Sequence, residues 1–575
     1  MELDTRETTD KAASAGIYRS LLATAGVAAV FSVVLAVILL VNMAQRRIGD
    51  VQLEARLDNL KVQIRANPDD KALIEQYRNL DMEYRAGRMY RLGALRHGGW
   101  LLLGAVIVMV AALKTAATMH KALPAPGPQQ DRRLQQISDA RFARKGIIVG
   151  IAVLALGTSV LALLPRVRFG AADEEVPAST WEQMGRHWPC FRGPGAAATS
   201  AYDNIPAEWD GPSGKGILWK TAVPLPGNNS PVVWGDRVFL SGGKDDKLEV
   251  YSFDAATGQL LWTGPVIKSQ PKPGQRFDIM EDTGLASPTL VTDGRRVCAI
   301  FATGDVACFD FNGRRLWTLA LGIPDSVYGY ASSLAIYRNL VIIQFDQGMA
   351  EDELSKLIAI DIVSGFPAWE TMRPVPNSWS SPIVTTVAGR DVIITCGDPW
   401  VITYDAATGN EIWRAECLSG DVCPLPYYAA GKVYVIEPYT RLIAINADGA
   451  GNVTETHIAW AADDFGPDVC GPIAADDWAL MLASEGTAAC YKAADGSRLW
   501  EHEMDKDFLA SPSLVGDKLY LLSRRGTMFI VQAGAEFKLL GQSELGENCY
   551  ASPAFMDGRI YIRGEKNLYC IGNPQ

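Results

Sequence analysis

A chain of 575 residues exceeds what one ordinary hydrophobic core covers, so two or more structural regions are expected. A formal net charge of −11 argues against nucleic acid as a partner, because such binders present a basic face. The ten cysteines include no C-x-x-C spacing, which removes support for thioredoxin chemistry, zinc ribbons and covalent haem attachment.

In chain order, a polar tail (residues 1–19) leads into Leu21 to Met43, 23 residues without a charge between Arg19 and Arg46-Arg47. Such a run predicts a transmembrane helix over 20–44. A cleaved signal peptide is the alternative, but an acidic start and an over-long apolar core speak against it. Across 45–97, Leu53, Leu57, Leu60 and Ile64 recur at helical spacing, Asn67-Pro68-Asp69-Asp70 has the form of a helix start, and Tyr77, Leu80 and Tyr84 continue the stripe. This predicts a helical hairpin, read either as a self-packed stalk or as a docking surface for another subunit.

Trp100 to Leu113 reaches spanning length through Met119 if Lys114 snorkels to the interface, which predicts a second span over 98–119. After a loop (120–145), the 19 uncharged residues Ile147 to Pro165 predict a third span over 146–166. Arg132, Arg133, Arg141, Arg144 and Lys145 precede that span, and only Arg166 and Arg168 follow before Asp173-Glu174-Glu175. By the positive-inside rule the chain leaves it outward. The expected location is the inner (cytoplasmic) membrane, in contact with the lipid bilayer, with the rest of the chain in the periplasm. Residues 167–213, rich in Pro, Gly and Ala, are expected to lie along the next domain or to act as a tether.

From Asn229 to Trp262 the pattern changes to short apolar runs between turn residues. Ser230-Pro231 opens the first, Gly235-Asp236 turns, and Arg237 to Ser241 leads through Gly242-Gly243 to Leu248–Phe253. Asp254-Ala-Ala-Thr-Gly258 turns again before Leu260-Leu261-Trp262. Four antiparallel strands are predicted, and so small a sheet cannot bury both faces alone. The opening recurs at Ser287, Ser332, Ser381, Cys423, Gly471, Ser511 and Ser552, at spacings of 57, 45, 49, 42, 48, 40 and 41. The closing half recurs at Asp405…Trp413 and Asp361…Trp369, and in weaker form at Asp310…Trp317 and Asp495…Trp500.

A period in the forties with four strands predicts propeller blades. The last unit stops at Cys570 one strand short, and Ile217-Leu-Trp-Lys220 is the strand expected to complete it. The fold class is therefore an all-β, eight-bladed propeller over 214–573, preceded by an all-α membrane region with three transmembrane helices.

The A-x-D-x-x-T-G-x-x-x-W pattern, read at Ser252 to Trp262 and Thr403 to Trp413, resembles the tryptophan-docking repeat of the quinoprotein (PQQ-like) propeller family. Trp188-Pro-Cys-Phe-Arg-Gly-Pro-Gly195 followed by Ile217-Leu-Trp-Lys220 is similar to the opening of bacterial exported PQQ-like repeat proteins. The resemblance covers about residues 186 to 573. Its family includes PQQ-dependent dehydrogenases and the non-enzymatic outer-membrane assembly protein BamB, so it implies fold more than activity. The BamB-like reading is a non-catalytic scaffold for partner proteins, needing no cofactor. The alternative is a PQQ-dependent membrane quinoprotein dehydrogenase.

That alternative implies Ca²⁺ held by a Glu and an Asn, an Asp base and a platform for the quinone. Eight blades in the 355 residues from Ile217 to Ile571 leave little chain for walls around a cofactor. The one modest insertion, Thr263 to Leu285, carries Arg276, Asp278, Glu281 and Asp282 and reads as a solvated acidic loop or, less simply, a cation site. Met349 to Glu353 reads as a hairpin tip, and Asp463, Asp464 and Asp468 as a polar loop or part of a channel mouth. His187, His457 and His502 are too dispersed to suggest a metal site. Cys423, Cys470 and Cys549 lie near blade openings, either as a thiol cluster or as unconnected thiols. Cys298 and Cys308 sit symmetrically about Thr303-Gly304 and are expected to face each other if that turn closes a hairpin, as a disulfide or as buried thiols. No catalytic or metal-binding residue is assigned, and no cofactor-binding residue can be named.

Overall fold

The computed structural model describes residues 179–573 apart from 272–278, 281–282 and 465, together with 21–32, 34–35, 104–105, 107–112 and 114–115. The chain divides into two units, Met1–Glu175 and Val176–Gln575. In the first unit the described residues are helical. Among the described residues, no helix is long and apolar enough to cross a membrane. Much of the predicted spans at 20–44 and 98–119, the whole of that at 146–166 and the predicted hairpin at 45–97 lie outside the described residues.

The second unit carries eight antiparallel sheets. Blade 1 consists of Val232–Trp234, Arg237–Lys244, Lys247–Asp254 and Leu260–Val266, hydrogen-bonded in sequence order. First strands of neighbouring sheets touch one another, which sets them around a common axis. The middle strands are packed by blades on both sides, so they are buried and mostly apolar; Leu340–Phe345, for example, is buried from its second residue onward. The outermost strands alternate, as in Arg315–Ala320, because one face meets water.

The second strand, read as Arg237 to Ser241 and leading through Gly242-Gly243 to the third, extends to Lys244. The strand runs through both glycines, pairing Gly242 with Glu249 and Gly243 with Leu248. A Cβ on Gly242 would lie 2.7 Å from the Leu225 carbonyl, and one on Gly243 2.7 Å from Leu285 Cβ. Close approach of another segment, not backbone reversal, selects glycine there.

Each Asp-Ala-Ala-Thr-Gly turn serves the neighbouring blade. Asp254 Oδ1 accepts from the Ala256 and Thr257 N–H groups at 3.0 and 2.8 Å, closing the turn. Gly258, at φ +72°, lies under the Trp219 ring, where a Cβ would come within 2.5 Å. The tryptophans then cross the seams: Nε1 of Trp219, Trp262, Trp317, Trp413, Trp460 and Trp500 donates to the carbonyls of Ala255, Phe311, Ile362, Ala447, Ala493 and Gly534 at 2.9–3.1 Å. Burying one such ring removes roughly 150–250 Å² from water, a gross gain of about 4–6 kcal/mol before entropy.

Blade 8 closes as expected. Ile217–Ala222 pairs with Asn567–Gly572 to complete the sheet begun by Ala554–Met556 and Arg559–Arg563.

Candidate functional site

The axis of the ring is filled from one mouth by residues 188–200, a stretch the sequence had placed within a surface approach or tether. Trp188 exchanges backbone hydrogen bonds of 2.9 Å with Val233 of blade 1, and its ring meets Phe555 of blade 8 edge-on at 5.4 Å. The Pro189 carbonyl accepts from Thr292 N–H of blade 2. Phe191, Gly195 and Ala196 lie against Leu334 and Ile336 of blade 3 and Val384 of blade 4, enclosing a cavity of about 10 Å³, room for about one water. Arg192 stands over Tyr427 of blade 5 and donates through Nη2 to the carbonyls of Pro472 and Pro512, in blades 6 and 7, at 3.0 and 3.2 Å. Thr199–Ser200 then joins the blade 7 sheet in parallel. Every blade is touched within thirteen residues.

Arg192 is wholly buried, and its charge rests on carbonyl dipoles. Loss of water pushes its pKa down to about 10, offset in part by neighbouring Tyr427 and Cys470. Gly471 makes the room: a Cβ there would lie 2.2 Å from Leu425 Cδ2 and 2.9 Å from Arg192 Nη1.

Two residues before each inner strand stand Ser230, Thr289, Ser333, Ser381, Leu425, Gly471, Ser511 and Ser552. Backbone N–H groups donate to the next blade's hydroxyl from Ser230 to Thr289, Thr289 to Ser333, Ser333 to Ser381, Gly471 to Ser511 and Ser511 to Ser552, at 2.9–3.1 Å. The openings read at Ser287, Ser332 and Cys423 are therefore displaced to Thr289, Ser333 and Leu425. Leu425 and Gly471 interrupt this belt where Arg192 enters.

The same approach segment repairs a seam. Blade 7 carries Gly541 where other outer strands carry tryptophan. The Ala207 carbonyl lies 3.6 Å from where a Gly541 Cβ would stand; Trp209 is buried with its backbone N–H on Ser543 Oγ, and Tyr520 donates to the Pro206 carbonyl at 3.2 Å. Buried arginines fasten other seams. Arg563 of blade 8 reaches Asn229 Oδ1 and the Ser241 carbonyl of blade 1, both at 2.7 Å, and burial pushes its pKa down to about 9. Arg373 pairs with Asp346 of its own blade 3 at 2.7 Å, both fully enclosed, and donates across the seam to the Tyr404 hydroxyl of blade 4 at 3.2 Å.

On the rim opposite the Asp-Ala-Ala-Thr-Gly turns, loops of blades 1 to 4 knit together. Met280 N–H donates to the Val327 carbonyl, Gly348 N–H to that of Asp325, and Trp379 Nε1 to Ser326 Oγ. This presents Met280, Val327, Met349 and Leu354 to solvent, 42–64% exposed, beside the edge-on Tyr328–Trp379 pair. Glu351, Asp352 and Glu353 form an exposed acidic edge. The predicted hairpin tip at Met349–Glu353 is thus a short 3-10 turn on this rim, with Asp352 accepting from Met349 N–H at 2.8 Å.

The other candidates do not gather into one site, although Cys470 lies near enough to Asp468 and Cys423 for both to add to the rise that burial causes in its pKa. Arg276, Asp278, Glu281 and Asp282 lie outside the described residues. Asp463 faces Arg441, Asp464 binds Tyr491 at 2.6 Å, and Asp468 is held by Ser484 and Tyr439. His187 stacks on Trp234, His502 on Phe537, and His457 lies beside Asp448, on separate blades. Burial lowers His187 below its usual range, with Arg186 adding to the effect. Cys470 and Cys549 are buried, the latter on the Glu547 carbonyl; burial raises Cys423 to about 12 and Asp468 adds to it. Among the described residues, no group of three or more His, Cys, Asp or Glu side chains is placed to hold a metal ion.

An eight-bladed ring with tryptophan-docked seams defines a PQQ-type repeat propeller. The chain belongs to the PQQ-repeat family described as outer membrane protein assembly factor BamB, whose profile matches residues 179–324, 354–452 and 450–534. The BamB of Yersinia pestis is 22% identical over 428 residues, covering 67% of this chain and 98% of that protein. The BamB of Burkholderia pseudomallei is 24% identical over 254 residues, 44% of this chain and 48% of that one. A europium-containing methanol dehydrogenase superposes with a TM-score of 0.51 at 10% identity, covering 68% of this chain and all of that structure, which shows the fold alone.

Proposed function

We propose that this protein is a membrane-anchored, non-catalytic interaction scaffold whose propeller binds partner proteins on the periplasmic side. The observation that carries the reading is the pairing of an axis filled by the chain's own Trp188–Ser200 with an exposed apolar rim of Met280, Val327, Met349 and Leu354. An apolar patch with an acidic border suits a partner carrying apolar anchors and basic flanks. Membership of the BamB family supports the same reading. The 23 uncharged residues from Leu21 to Met43 and the flanking charges of the third run support the anchor and its orientation.

Two carboxylates of the ring give the quinone alternative less support. Both are engaged within the protein, Asp346 by Arg373, Gln344 and Ser378, and Asp468 by Ser484 and Tyr439. The test places a photo-crosslinking residue at Val327 or Met349 and, as controls, at Val363 or Leu540, in native membranes. A discrete adduct from the rim but not from the control positions is expected. Absence of a discrete rim adduct, or equal adducts from all four positions, contradicts the proposal.

A further inference from the structure

Among the ten cysteines, Cys298 and Cys308 are the direct cross-strand partners, on Arg296–Ile300 and Asp305–Asp310 of blade 2. Phe301 N–H donates to the Asp305 carbonyl at 3.0 Å, so 301/305 is a hydrogen-bonded pair. Such pairs recur at every second residue, at 299/307 and 297/309, which leaves 298/308 as a non-hydrogen-bonded pair. That is the closer of the two antiparallel pairings, with Cα atoms about 4.5 Å apart and both side chains on one face. A disulfide needs a Cα separation of about 4.4–6.8 Å. The two thiols are already in hydrogen-bond contact, and both are wholly enclosed with Ile300, Val306 and Met184.

We infer that Cys298 and Cys308 form a cross-strand disulfide that locks the second hairpin of blade 2. The inference rests on the periplasmic placement proposed above, because a reducing compartment keeps such a pair as thiols. The oxidant is a small-molecule or protein disulfide. One cysteine thiolate attacks it, forming a mixed disulfide and releasing one thiol. The second cysteine thiolate displaces the other, so two cysteine sulfurs give up two electrons, the oxidant becomes two thiols, and the two protons finish there. Burial raises the Cys298 thiol well above its usual range, so exchange occurs while the hairpin is still open during folding.

Both cysteines fall in one tryptic peptide, residues 297–314, which makes the test direct. The full chain is synthesised cell-free into lipid nanodiscs, in dithiothreitol or in an oxidising glutathione buffer, then denatured and alkylated without reduction. Under oxidising conditions the 297–314 peptide is expected unalkylated and lighter by two hydrogens, with the other eight cysteines alkylated. A Cys298→Ser chain is expected to show Cys308 free of any intramolecular bridge in both buffers. A doubly alkylated wild-type peptide under both conditions overturns the inference. The same mapping on native membranes separates the two claims: a bridge in oxidising buffer with free thiols in the cell keeps the site and sinks the periplasmic placement.

Discussion

Replacing Trp188 with alanine asks whether the 188–200 segment is part of the ring's core or a strap laid against it. The side chain is 1% exposed, packs on Phe555, and has the backbone of Gly193 against its face, where a Cβ would come within 2.9 Å. Truncating such a residue costs about 3–5 kcal/mol in transfer and cavity terms. For a unit of about 400 residues the unfolding entropy is about 0.8 kcal/mol/K, so the melting temperature should fall by about 4–6 °C. Calorimetry of the full chain in detergent measures this, with Arg186→Ala as control, since that exposed side chain makes only a surface pair with Glu182. A Trp188→Ala shift within about 1 °C of the control would refute the reasoning, because a tether contributes no core.

Other expectations follow from the same geometry. Gly471→Ala drives a methyl into Leu425 and Arg192 and should destabilise by about 1–3 kcal/mol in urea titration. Asp346→Asn leaves Arg373 as an uncompensated buried charge and should cost about 3–5 kcal/mol; a loss below about 1 kcal/mol contradicts the pairing. Burial holds Cys190, Cys417, Cys423, Cys490 and Cys570 at about 12 against an ordinary 9.0. These raised values give stability that is whole below pH 9 and lost as pH rises toward 12, by up to about 1.4 kcal/mol per pH unit for each thiol. Arg192 and Arg563, with lowered values, act in the opposite sense but are fewer. The denaturation midpoint should therefore fall above pH 9, less steeply in Cys423→Ala; a midpoint that holds or rises through pH 10.5 would be inconsistent. Asp405 is held below its usual range against its own burial by Thr408 and Arg390, so its contribution is present at neutral pH and lost as pH falls below 3.8. Asp405→Ala should accordingly destabilise more at pH 7 than at pH 2.5.

What repeats in this chain is legible from sequence, and what does not repeat is not. Asp254…Trp262 and its copies reveal the blades because each must solve the same problem, capping a turn and covering a seam. Ile217–Lys220 follows from counting strands. Arg192 has no counterpart in the repeats, and its carbonyl partners lie 280 and 320 residues away, so no local pattern announces that it sits on the axis. Trp460 docks like the others but follows Gly451–His457 rather than an Asp-x-x-x-Gly turn, which hides it from the motif. Trp209 joins the core of blades 7 and 8 from outside the repeat altogether. The displaced openings at Thr289 and Ser333 have a related cause: bonds from backbone amides to the next blade's hydroxyl set that register, whereas proline marks only where the chain bends. The rim is assembled from four separate loops, each bland alone, so an apolar face emerges only when the ring is closed.

Whether this ring is a scaffold or a quinone enzyme is decided by titrating the full chain with PQQ, with and without Ca²⁺, while following tryptophan fluorescence. No saturable quenching at micromolar ligand under either condition is the expected result. Saturable, calcium-dependent quenching would contradict the scaffold reading and make the dehydrogenase reading the one to pursue.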